Sequence, residues 1–332
     1  MASYFENDSD TLVSDALQGF ALAHADLLTL DPDHGFLLAR DTAPVRRVAL
    51  LSGGGAGHEP MHAGYVGRGM LDAACPGRIF ASPHNRQIYE ASLAAARPAG
   101  VLHIVKNYTG DRINFGIAAE RLAHRGVRCA SVLVDDDLAS DSDEISSGRR
   151  GTGGTVLIEK ILGAAADTGA GLDDLQRLGN RLAARCRTLA VASGAHTSPV
   201  LGEPAFHLGP DEIEYGVGIH GERARHTAEK SSLGPLVERM TSELLTALAP
   251  EPGCALVVLV NGLGAVTPLE LYAVHGELVR VLDARGLSVS RCLVGDYATA
   301  LDMRGFSLTL LVADPSDLPH YDAPVHTAAL RW

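Results

Sequence analysis

The 332-residue chain lacks several features, and each absence closes off a class of function. No apolar run approaches the ~20 residues that a helical membrane span requires. The N-terminus, Met1-Ala-Ser-Tyr-Phe-Glu-Asn-Asp8, is acidic and has no apolar signal-peptide core. Basic residues are outnumbered, and a formal net charge of −12 argues against a nucleic-acid footprint. The five cysteines, at 75, 129, 186, 254 and 292, form no Cys-x-x-Cys pair and lie mostly in or beside apolar segments. That usage reads as reduced, buried thiols in a cytoplasmic protein. No Gly-x-x-x-x-Gly-Lys-Ser/Thr loop occurs, so the chain has no P-loop and no other obvious triphosphate cradle. Low-complexity segments and convincing internal repeats are missing as well.

What is present fits a compact α/β protein. Hydrophobic residues make up 46% of the chain, and 36 glycines imply many tight turns. The length suits about two domains of ~150 residues each. Strand-like runs fall at 45–51, 101–106, 129–134, 188–192, 255–260, 288–294 and 306–312. Helical patterns lie between them, at 85–97, 114–125, 155–168, 175–186 and 269–285. Ser82-Pro83 reads as a cap and a first-turn proline, and Gly126 and Gly286 read as C-terminal stops. The alternation predicts two α/β domains with mixed or parallel sheets. A boundary after the 175–186 helix predicts domains 1–187 and 188–332. The strand-poor, Gly-, Pro- and His-rich stretch 193–225 reads as a functional loop region.

The run Leu51-Ser-Gly-Gly-Gly-Ala-Gly-His-Glu-Pro60 follows a strand-like segment. Its glycines predict a turn that brings main-chain N–H groups close to a ligand and ends on His58, which titrates near neutral pH. Polar or ionisable residues recur just past the other strand ends: Asn107 and Asp111, Asp135–Asp137, His196, Asn261 and Asp296. In α/β folds that edge binds ligands. Polar strand ends are also expected simply because they reach the surface.

Two motifs match familiar signatures only formally. His58-Glu-Pro-Met-His62 has the spacing of a helical zinc site, but Pro60 is better placed at the first turn of a helix that starts there, leaving His58 in the preceding loop. Gly216-Val-Gly-Ile-His-Gly221 has dinucleotide-fingerprint spacing, but the preceding residues 211–215 are polar and a charged segment follows. It reads instead as a turn presenting His220 between glycines, a nucleophile or ligand candidate. Asp135-Asp-Asp137 could bind magnesium or begin a solvated acidic loop running to Glu144, and the loop is the favoured reading. Lys106-Asn-Tyr-Thr-Gly-Asp111 places Asp111 where it could accept a hydroxyl proton during phosphoryl transfer. Asp111 or Asn114 could equally cap the helix that follows.

Taken together, Ser52-Gly-Gly-Gly-Ala-Gly-His-Glu-Pro60, Lys106-Asn-Tyr-Thr-Gly-Asp111 and Gly218-Ile-His-Gly-Glu222 resemble the signatures of dihydroxyacetone kinases. Gly148-Arg-Arg-Gly151, Asn261-Gly-Leu-Gly264 and Ser307-Leu-Thr-Leu310 agree. The segment Ala323-Pro-Val-His-Thr327, ending at Trp332, resembles the end of the free-standing dihydroxyacetone-binding K subunit. The resemblance runs from about residue 35 to the C-terminus.

It implies the K-domain fold of two α/β domains, commonly as a homodimer. It implies that His220 forms a covalent hemiaminal with the ketone carbonyl. His58 and Asp111 match acid/base groups near the substrate hydroxyls, and Lys106 and the backbone at Gly54 and Gly55 match substrate-positioning groups. A nitrogen nucleophile adds to a ketone and not to an alcohol, so covalent capture would select short ketoses over glycerol. No metal site and no cofactor are expected in this chain. ADP or ATP with magnesium is expected on an L-type partner subunit, because single-chain members carry a nucleotide domain that this sequence lacks. An M-type subunit drawing on phosphoenolpyruvate, or a transcription regulator, is a further expected partner. Arg223-Ala224 in place of Pro-Gly, His196 in place of a cysteine, and the inserted Val266 depart from the family pattern. They touch loops that shape the pocket. Dihydroxyacetone and a four-carbon ketose such as erythrulose therefore both remain open, as does a non-catalytic ketose sensor.

Overall fold

The computed structural model describes residues 4–140, 148–223, 227–251 and 253–332. The acidic run 141–144 and the Ala224 departure lie outside the described residues. The chain divides into two compact units. The first comprises Phe5–Val134, Ile158–Ala183 and Pro319–Trp332; the second comprises Asp135–Leu157 and Ala184–Leu318 together with Tyr4. Both units are thus discontinuous, where the sequence predicts consecutive stretches 1–187 and 188–332. Sheet membership sets the division, and sheets are assembled without regard to chain order. Among the described residues, no helix is long and apolar enough to cross a membrane.

Each unit is built on a six-stranded mixed sheet, as the α/β reading requires. In the first, Ala73–Ile79, Ala49–Ala56, Val101–Lys106 and Cys129–Val134 lie side by side in parallel, and Leu37–Ala39 and Leu28–Leu30 extend the edge antiparallel. The helices Asn85–Ala95 and Thr109–His124 connect the parallel strands. They bury Ile88, Ala91, Phe115, Ala118 and Leu122 against Ala49, Leu51, Val101 and Val105. Burying one such aliphatic or aromatic side chain is worth about 1.5–3 kcal/mol. The residue just before the helix, His84, caps Asn85–Ala95 through Nδ1, which accepts from Arg86 N–H at 3.1 Å, in place of the predicted Ser82.

In the second unit the order is Thr227–Glu229, Glu212–Tyr215, Cys186–Gly194, Arg304–Ala313, Ala255–Gly262, Val289–Gly295. Only the last pair is parallel. The helices Leu233–Leu248 and Pro268–Asp283 cover this sheet with Val237, Met240, Leu244, Leu271 and Leu278. Thr267 caps the second of these helices with a full capping box to Glu270.

Several elements escape the sequence patterns. Ala73–Ile79 contains Pro76 and Gly77, which ordinarily disfavour strands, yet it pairs with Ala49–Ala56. Leu233–Leu248 carries Gly234 and Pro235 in its first turn, where a missing N–H costs nothing because it has no intrahelical partner. The polar segment before Gly216 is itself a strand, Glu212–Tyr215, but among the described residues no helix follows the glycines until Leu233. The dinucleotide arrangement is therefore absent.

Candidate functional site

The glycine run proves to be strand for most of its length. Ala49–Ala56 is buried at all eight positions, and the chain turns only at Gly57, which has φ +95°. The expected glycine turn is corrected accordingly: the glycines serve close approach rather than a reversal. A Cβ on Gly53 would lie 2.5 Å from the Cys75 carbonyl oxygen, and one on Gly55 would lie 2.6 Å from Phe80 Cα. A Cβ on Gly54 would lie 2.2 Å from Lys106 Nζ. Backbone and an ammonium thus occupy the space that side chains would fill.

His58 follows that turn and is fully buried, its ring stacked on Phe80 with centroids 4.9 Å apart. The helix expected to begin at Pro60 does not form. Only a short 3-10 turn, Ala63–Tyr65, is present, so the helical face that a zinc signature needs is missing. Glu59 bends back so that both carboxylate oxygens accept from Gly57 N–H, at 3.1 and 3.0 Å. Burial pushes its carboxyl upward, against the pull of backbone N–H groups and the charge of Lys106.

Lys106 ends the strand Val101–Lys106 and is 1% exposed. Its Nζ lies 3.3 Å from His62 Nε2, and His62 Nδ1 lies 2.6 Å from Glu159 Oε1. Asp111 lies in the first turn of Thr109–His124, a helix that starts earlier than the sequence predicts. Its N-cap position is Tyr108, so neither Asp111 nor Asn114 occupies the cap. Asp111 is 3% exposed, and its Oδ1 is buried with no hydrogen-bond partner among the described residues. A carboxylate oxygen so placed, near the positive end of a helix, is suited to accept from a bound hydroxyl.

Gly54, Gly55, His58, Lys106 and Asp111 all belong to the first unit, and His220 belongs to the second. There the turn is closed by Gly218 N–H to Glu222 O at 2.9 Å and Gly221 N–H to Gly218 O at 3.0 Å. Gly221 sits at φ +79°. Glu222 grips His220 twice, with Oε2 accepting from the His220 backbone N–H at 3.0 Å and Oε1 lying 2.9 Å from Nδ1. Burial pushes the Glu222 carboxyl up, but the His220 hydrogen bond and charge and the Arg150 guanidinium together outweigh it and hold it at about 2. Arg150 is itself anchored by its Nε to Asp137 Oδ2 at 2.6 Å. A carboxylate at Nδ1 places the neutral ring's lone pair on Nε2. His196, 5% exposed, packs against the same turn, where a Cβ on Gly221 would meet its Cε1 at 2.6 Å. Burial, with the nearby His220 adding to it, depresses the His196 imidazole against the pull of Asp302 and Glu222.

The aspartate triplet is committed to the fold. Asp135 accepts from Arg149 Nη2 at 2.7 Å, and Asp136 accepts from Thr152 N–H, Thr152 Oγ1 and Gly154 N–H at 2.6–2.8 Å and from Thr188 Oγ1. With Asp137 held by Arg150, all three carboxylates have protein partners, and Asp136 and Asp137 are buried at 0% and 2% exposure, so the expected solvated loop is corrected: these two aspartates are interior ties of the fold.

Sequence reasoning missed His62 and Glu159 as site residues, and passed over Glu222 inside a quoted motif. One signal was available: Glu159-Lys160 interrupts the otherwise apolar Val156-Leu-Ile158 and Ile161-Leu162 of a buried helix. A charged pair at such positions is rare unless it is partnered.

Residues 18–329 match the Dak1 domain. The chain is 43% identical over 350 aligned residues, covering 98% of each sequence, to the Escherichia coli K12 protein named PEP-dependent dihydroxyacetone kinase, dihydroxyacetone-binding subunit DhaK. Among solved structures it resembles the dihydroxyacetone kinase operon co-activator Dha-DhaQ, with a TM-score of 0.90 and 33% identity over 95% of this chain and 97% of that one. It also resembles the dihydroxyacetone kinase of C. freundii, with a TM-score of 0.89 and 35% identity over all of this chain and 60% of that one.

Proposed function

This chain belongs to the Dak1 domain family, and on that premise we propose that it is the ketose-binding subunit of a dihydroxyacetone kinase, a phosphotransferase. The observation that carries the reading is the Glu222 carboxylate at His220 Nδ1. Addition to a ketone needs a nitrogen lone pair on the opposite side of the ring, at Nε2. In the proposed step the Nε2 pair forms a bond to the carbonyl carbon while the C=O π pair moves to oxygen. The oxygen takes up a proton, and the positive charge that develops on the ring is balanced at Nδ1 by Glu222. No water leaves, so the product is a hemiaminal.

Capture through the carbonyl leaves both hydroxyls of dihydroxyacetone unmodified. Asp111 is the proposed acceptor of the proton from the hydroxyl that is phosphorylated, and His58 its acid/base companion. Lys106 and the main chain at Gly54 and Gly55 would position the ketose. The phosphoryl group would come from ATP with magnesium on an L-type partner in the cytoplasm, and in the phosphotransferase-system form an M-type subunit would rephosphorylate the ADP left bound there. The chain itself would act as a homodimer.

Native mass spectrometry with dihydroxyacetone tests the reading. The expected result is a species heavier by one intact ketose that disappears in His220→Ala. An adduct of the same yield in that variant would falsify the assignment. Similarity to a co-activator supports a second reading, a ketose sensor without catalysis. Mixing the chain with an L-type partner separates the two: phosphate transfer that is lost in Asp111→Asn identifies the kinase subunit, and adduct formation with no transfer identifies the sensor.

A further inference from the structure

Three ionisable side chains of the first unit form a line with almost no contact with solvent. Glu159, His62 and Lys106 are 0%, 5% and 1% exposed. Glu159 Oε1 stands 2.6 Å from His62 Nδ1, and His62 Nε2 stands 3.3 Å from Lys106 Nζ. They come from the helix Gly154–Asp167, the segment after the glycine strand, and the end of Val101–Lys106. Nothing in the proposed chemistry uses Glu159 or His62. Burying an acid, a base and an imidazole together is costly unless each satisfies the next.

The donor inventory allows a single direction along the line. A lysine ammonium has only hydrogens to offer, so the nitrogen facing it must accept. His62 Nε2 therefore holds the lone pair, which puts the ring proton on Nδ1, pointing at Glu159. Only an acceptor can receive it there, and the carboxylate is one. Glu159 thereby sets the tautomer of His62, and His62 sets the direction of the Lys106 ammonium. The ammonium is pressed against Gly54, where even a methyl group would lie 2.2 Å from Nζ.

We propose that Glu159 and His62 are positioning residues, a carboxylate–imidazole relay that aims the Lys106 ammonium at the ketose oxygen bound beside Gly54. The proposal rests on the ketose-binding reading above. The charged groups facing His62 are Glu159 from one helix, Lys106 from the strand and Asp111 from the helix Thr109–His124. Burial depresses the imidazole first, with Lys106 adding to it, against the pull of Glu159 and Asp111. A neutral ring is what the relay requires, since a second proton would put two cations face to face.

The direct test is 15N NMR of the histidine ring nitrogens of the full chain at neutral pH. The expected result is a proton on His62 Nδ1, with a low-field shift from its short bond to Glu159. A proton on Nε2, or a doubly protonated ring, overturns the relay. This readout needs no ketose, so it stands apart from failure of the binding reading, which would appear as no ketose adduct in the wild type. Kinetics supply the second arm, with the L-type partner present. Glu159→Gln is isosteric and should raise KM for the ketose about 10–100-fold, the usual cost of losing an orienting carboxylate behind a histidine, with a smaller change in kcat. Because the relay acts only through Lys106, the double variant Glu159→Gln/Lys106→Met should be no worse than Lys106→Met alone. An unchanged KM in Glu159→Gln, or additive losses in the double variant, sinks the proposal.

Discussion

Glu222, 2.9 Å from Nδ1, leaves the lone pair of a neutral His220 ring on Nε2, the nitrogen that would attack a carbonyl in the proposed step. Removing its charge while keeping its shape, in Glu222→Gln, should slow ketose adduct formation about 10–100-fold, measured by the rate at which the adduct mass appears. Gly218→Ala should give a similar loss by another route, because its Cβ would lie 2.1 Å from Glu222 Oε2 and displace the carboxylate. The same group links the turn to pH. Its folded value of about 2 lies below the ordinary 4.5, so its contribution to stability is present above about pH 4.5 and is lost as pH falls towards 2. Acid denaturation curves of wild type and Glu222→Gln should therefore converge at the acid end. Sequence reading reached His220 through its glycine neighbours and missed the role of Glu222, since a glutamate two residues away announces nothing until the turn folds it back.

At the scale of the element, the strand Ala49–Ala56 separates two uses of glycine. Gly53→Ala pushes a methyl into the Cys75 carbonyl of the neighbouring strand, and backbone in a sheet cannot step aside. It should destabilise the protein by about 1–3 kcal/mol, the usual cost of overpacking, read as a lower midpoint in urea. Gly54→Ala meets the end of a lysine side chain instead. It should cost less stability and more ketose affinity, seen as a raised KM with a nearly unchanged midpoint. The next strand holds a different pH device. His103 is fully buried, with Nε2 2.9 Å from Ser92 Oγ, and Ser92 spends its own hydrogen on the Ile88 carbonyl at 2.7 Å. Burial lowers this imidazole from 6.5 to about 4. A histidine that resists protonation when folded costs stability as pH falls from about 6.5 through 4, on the order of 3 kcal/mol in all. In His103→Gln that part of the slope should vanish from a stability-versus-pH series.

At the scale of the whole molecule, the two units are stitched from segments far apart in sequence. In the first, Arg46 is one such tie. Its guanidinium donates to Asp72 Oδ2 and Asp167 Oδ1 at 2.6 Å, to the Met70 carbonyl at 2.9 Å and to the Gly163 carbonyl at 2.8 Å. One side chain thus fastens the helical segment Ile158–Ala183 to the sheet-bearing Phe5–Val134. Arg46→Met would leave the buried Asp72 with Arg97 as its remaining cation and strip the part-buried Asp167 of this one, and should cost about 3 kcal/mol, checked as a large drop in Tm. In the second unit Asp136 does the equivalent work, joining Thr152 and Gly154 to Thr188.

The sequence by itself determined the α/β class, because apolar runs of strand length alternate with helical patterns, and most of those runs became strands of the two sheets. It determined the family, because several motifs stand in order along the chain. It also marked His58, Lys106, Asp111 and His220 as chemically eligible. Only the tertiary structure decided that the glycine run is strand, that Pro76 lies in a strand, and that each unit is assembled from separated stretches. It alone placed Glu159 behind His62 and His62 behind Lys106. The physical reason is common to these cases. Periodicity and motif spacing are local, and they survive in a one-dimensional string. Strand neighbours, close approaches at glycine and buried ion pairs are set between residues tens of positions apart, and they exist only after the chain has folded.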